Sequence, residues 1–74
     1  MSNASRCLAM AAHFSRLAER AADAEARAHC RRLERLYRDM APLAETYDRR
    51  RDPAAKARIF ALTDEVGEVR RKVA

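Results

Sequence analysis

Residues 14–33 read FSRLAERAADAEARAHCRRL, and a change of phase inside this stretch decides the fold. Upstream, Cys7, Met10, Phe14, Leu17 and Ala21 recur at alternating intervals of three and four, which draws one stripe down a helix face. The same rhythm would next place core positions at 24 and 28. Instead the pattern resumes at Ala26, Cys30 and Leu33 and runs on through Tyr37, Met40, Ala44 and Tyr47. One straight helix cannot hold both stripes on one face, so a turn is expected at about residues 22–24. Asp23 is a good N-cap there, and Glu25 sits favourably in the positive first turn. The alternative is one unbroken helix from Ser5 to Met40, because no Gly or Pro occurs before Pro42.

Working outward, the first helix is expected over about 5–22, starting at Ala4 or Ser5 with Asn3 or Ser5 as cap, and its stripe is widened by Leu8, Ala11 and Ala18. Ser2, Asn3 and Ala4 resemble the scar of tag cleavage and are set aside from functional argument. The second helix is expected over 24–48 with a kink at Pro42. Proline lacks the donor for the Arg38 carbonyl, yet Ala44 and Tyr47 keep the stripe in phase beyond it. His29, Leu36 and Leu43 flank this stripe, which gives a face wide enough for two neighbours. On the opposite, wet side Glu34 pairs with Arg38, and Arg31 and Arg35 are placed to pair with Glu34 and Asp39.

Asp52 followed by Pro53 is the clearest helix start in the chain: a capping side chain, then a residue whose missing N–H costs nothing. The third helix is expected over 53–73, with the stripe Ala55, Ile59, Leu62, Val66, Val69 and Val73. Glu68 and Lys72 stand four apart in the favourable order. Gly67 lies off the stripe, where it would admit a neighbouring backbone, and Phe60 lies beside it, where an exposed ring would mark an interface. The sequence thus predicts an all-α, antiparallel three-helix bundle, a helical hairpin plus a third helix, in a single domain over 1–74. At 74 residues such a core supplies only about 3–5 kcal/mol, so completion by homo-oligomerisation is open.

The stretch from Phe14 to Ala44 resembles small uncharacterised bacterial helical-hairpin proteins. Their pattern is an RLAE-type first helix, an Asp-x-Glu-Ala-Arg turn and a Leu-rich second helix. Pro42 and the third helix depart from it. The resemblance supports a turn at Asp23 and implies no activity.

Net charge is +5 and is uneven: residues 27–51 carry eight Arg against four acids, while residues 1–26 balance. Arg31, Arg35, Arg38, Arg49, Arg50 and Arg51 are therefore candidate contacts for nucleic acid or another polyanion. Such binding would be electrostatic and salt-dependent, and Tyr47 alone among the aromatics stands near them for base stacking. Acids at 34, 39, 45 and 48 interrupt the basic face and disfavour a membrane surface.

No catalytic, cofactor or metal signature stands out. Cys7 and Cys30 occupy stripe positions, expected as buried thiols, too far apart in a hairpin to bridge. With His13 and His29 they make a nominal Cys2His2 set, but zinc ligands come in pairs two to five residues apart, and these do not. No secretory signal or membrane span is visible, which predicts a soluble, cytoplasmic chain. The expected function is a non-enzymatic protein–protein interaction module whose partner is itself or another helical protein, with Leu36, Leu43 and Phe60 as the interaction surface.

Overall fold

Asp23 caps as its side chain allows: Oδ1 accepts from the Ala26 N–H at 2.7 Å, with the backbone extended at φ −123° and ψ 163°. Two helices therefore meet here. The computed structural model describes residues 2–73 without the side chain of Val73, so the last member of the third stripe lies outside the described residues. Helix α1 spans Asn3–Arg20, α2 spans Ala24–Arg50 and α3 spans Pro53–Val73, and no strand occurs among the described residues. Ala21 ends α1 in an extended conformation, which puts the turn at residues 21–23 without Gly or Pro.

The first helix starts earlier than its sequence suggests. Ser2, not Asn3 or Ser5, is the cap; its hydroxyl oxygen accepts from the Ser5 N–H at 3.1 Å, which brings Asn3 into the first turn. In α2 the helix continues through Pro42 to Arg50, slightly beyond the expected end. Pro42 is exposed, so the Arg38 carbonyl that it leaves without an N–H partner sits on the side of the helix open to water. Arg51 then closes α2 at φ 52° and ψ 37°, left-handed values that cost a non-glycine residue about 1 kcal/mol, while its N–H donates to the Tyr47 carbonyl at 2.8 Å. Asp52 caps α3 through the Ala54 N–H at 3.0 Å.

Connections this short make sequential helices antiparallel, so α1 and α3 run parallel to each other on two sides of α2. α1 packs on α2 and α2 on α3. The backbones of α1 and α3 do not meet. The Cα envelope is 42 × 21 × 14 Å, whereas a closed triangle of helices 8–10 Å apart would measure roughly 14 Å in both cross-directions. The bundle is open along one side.

Small residues set the α1–α2 seam. Ala11 and Ala18 are buried at 2% and 0% exposure, with Ala41 of α2 buried at 5%, which lets two backbones approach closely. The contact face of α1 is thereby turned toward these alanines and away from the expected stripe. Leu8 and Leu17, assigned to the stripe or its flank, remain 52% and 37% exposed. The close approach also covers Glu34, expected on the wet face but only 8% exposed. Its two oxygens accept from Arg31 at 3.0 Å and Arg38 at 2.8 Å, so the buried carboxylate has partners for both. The Arg31 hydrogen bond foremost, then the two guanidinium charges, hold this carboxyl below its usual value of 4.5 against the opposing effect of burial.

The α2–α3 seam is aliphatic. Leu62, Val66 and Val69 pack with Leu33, Leu36 and Met40 in one buried cluster that Phe14 joins from α1. Gly67 admits no neighbouring backbone: a Cβ there would meet only the Arg71 guanidinium at 3.7 Å. The expected pairs Arg35–Asp39 and Glu68–Lys72 do not form; Arg32 pairs with Glu65 of α3 at 3.5 Å instead.

Candidate interaction groove

The cleft between α1 and α3 has a closed half and an open half. In the closed half Phe14 stacks on Tyr37 with centroids 5.8 Å apart and planes 7° from parallel. Arg70 of α3 reaches across, its guanidinium 5.9 Å from the Phe14 centroid and donating to the Tyr37 hydroxyl at 3.5 Å. A cation over aromatic faces is attracted by the ring quadrupole, so Arg70 ties the outer helices together without backbone contact.

Toward the α2–α3 turn nothing fills the cleft. A groove of about 380 Å³ remains, floored by Tyr37, Met40, Ala44 and Tyr47 of α2. Asn3, Arg6 and Cys7 form its α1 wall, and Lys56, Ile59, Phe60 and Thr63 form its α3 wall. Phe60 is 60% exposed, the most exposed large apolar residue among the described residues. Lys56 Nζ lies 5.7 Å from the Phe60 centroid and 5.9 Å from that of Tyr47, and the Arg51 guanidinium covers Tyr47 at 5.2 Å. Burial pushes the Cys7 thiol up from its ordinary value, which favours the neutral, unreactive form.

Of the three residues expected at an interaction surface, only Phe60 stands free. Leu43 is half-buried against the core. Leu36 is 6% exposed and belongs to that core, because the α3 flank covers it; it reaches the surface only in a depression lined by Arg31, Arg32, Arg35 and Glu65. The basic cluster also divides. Arg31 and Arg38 share Glu34, and Arg49 is bound to Glu45 at 2.8 Å, so half of the expected polyanion contacts are already ion-paired. Arg35 and Arg50 are fifteen residues apart on one helix, roughly 22 Å along its axis, which makes two patches rather than one.

The groove walls were the part that sequence did not reveal. Lys56 and Phe60 stand four apart on one helix and could have been paired in advance. That Arg6 and Cys7 face them depends on how far apart α1 and α3 stand, which no stripe encodes. Both cysteines are free, and no group of three metal-ligating side chains occurs among the described residues. No described helix is long and apolar enough to cross a membrane. The chain matches no family model, no curated protein and no solved structure.

Proposed function

We propose that this chain is a small non-enzymatic module that binds another polypeptide in the groove between α1 and α3. The observation that carries this is the open half of the cleft: an apolar floor continuous with the core, walled by two helices whose backbones do not meet, with Phe60 exposed at its edge. Apolar surface of this kind gains free energy when a partner removes it from water, at about 25 cal/mol per Å². The lining supplies no nucleophile–base pair, since Cys7 has no histidine beside it there, and this favours binding over catalysis.

A photocrosslinking amino acid at position 60, compared with one at the exposed position 64 of α3, tests this in the producing cell. Protein adducts are expected at 60 and not at 64, and the complex should persist between about 50 and 200 mM salt, where a phosphate-driven complex loses orders of magnitude in affinity. Equal yields at both positions, or nucleic acid as the adduct, would overturn the proposal.

A further inference from the structure

Building on that docking role, we infer that the occupant of the groove is an acidic amphipathic helix of another protein. Geometry supplies the first half. α1 and α3 are parallel, both antiparallel to α2 and separated from each other, which is the arrangement of three corners of a four-helix bundle. A fourth helix laid between the outer two would cover Cys7, Met40, Ile59 and Phe60 together, all of which line the groove. Its apolar residues would need the three-and-four spacing that this chain uses in its own seams.

Charge supplies the second half. Arg6 and Lys56 face each other from the two walls, Arg51 adjoins at the turn, and none of the three is ion-paired among the described residues, in contrast to Arg31, Arg38 and Arg49. Asp48 is the only acid in the lining. A partner with carboxylates flanking its apolar face would meet these cations; a second copy would bring another net charge of +5 against them. Single-stranded nucleic acid fits less well. The three aromatic rings of the lining are already engaged, Tyr37 by stacking on Phe14 and Tyr47 and Phe60 by the chain's own cations.

The test is an amide NMR titration of the full chain with two synthetic helical peptides as long as α1, 18 residues, sharing Leu at heptad positions a and d. One carries Glu at the remaining positions and the other Lys. A thymidine oligonucleotide serves as third probe. The Glu peptide should shift the amides of Cys7, Met40, Ile59 and Phe60 and bind at least ~10-fold more tightly than the Lys peptide. Charge reversal at Arg6→Glu with Lys56→Glu, both exposed, should invert that preference while helical circular dichroism is retained. Equal affinity for both peptides would overturn the charge assignment and leave polypeptide docking standing. So would groove amides that shift with protein concentration alone, which would make the occupant a second copy. Failure of both peptides to bind, or shifts confined to other faces, would overturn the fourth-helix inference. If the oligonucleotide moves the groove amides and neither peptide does, the inference and the proposed function fall together.

Discussion

The two outer helices are held to α2 by different means. α1 lies close, on alanines, and its approach covers a carboxylate held by two arginines; α3 stands on Leu62, Val66 and Val69, with an exposed ion pair and the Arg70–Tyr37 hydrogen bond at its edges. Close packing by small side chains buries backbone and whatever polar group lies between, so one flank depends on charge. Branched aliphatics hold the other flank mainly through apolar area and keep the backbones further apart. The groove is a by-product of this asymmetry.

Leu33 belongs to both flanks and should give the largest effect. It is fully buried at 0% exposure, so Leu33→Ala should cost on the order of 3 kcal/mol, most of the stability of a chain this size, read as lost cooperativity in urea or thermal unfolding. Retention of a sharp transition near the parent midpoint would deny that the flanks share a core.

Acid should separate the flanks. The Glu34 carboxyl titrates lower in the folded chain than unfolded, so its contribution is complete above the ordinary value of 4.5 and disappears as pH falls through the depressed folded value. Between about pH 6 and pH 3 the parent should lose roughly 1 kcal/mol more than Glu34→Gln, the pairs being partly exposed. Hydrogen exchange should show α1 amides losing protection before those of α3. Equal loss along both helices would break the comparison.

Gly67→Ala sharpens it from the other side. The added methyl meets only the end of a flexible Arg71, so the substitution should raise stability by about 0.5–1 kcal/mol through helix propensity, with the gain unchanged by pH. Arg70→Met, which removes the cation over Phe14 and the donor to Tyr37, should cost about 0.5 kcal/mol in chemical denaturation. Phe60→Ser should change folding stability by less than ~0.5 kcal/mol, since the ring is already exposed, while abolishing peptide binding in the groove.

Much of the fold could be read from local signals, because each has a local cause. The Asp23 cap, the Asp52–Pro53 start, the passage of α2 through Pro42 and the stripe from Cys30 to Ala44 all depend on residues within a turn or two of one another. What escaped depends on distance between helices. Glu34 reads as a surface residue until Ala11 and Ala18 bring α1 over it, and Leu17 reads as core until the same alanines rotate α1 away. Leu36 and Phe60 both flank stripes and look alike in one dimension; only the position of α3 buries the first and exposes the second. The groove is assembled from all three helices, and Phe60 alone announced it in one of them.

Because α1 and α3 share no backbone contact, α2 is the spine on which two separate leaves are hung. Damage to one leaf should add to damage to the other except where they meet, in the cluster that Phe14 and Leu33 share with Leu62, Val66 and Val69 and at the Arg70 bridge. In the docking role proposed above, a gap walled in this way would adjust to the girth of its guest without melting the spine.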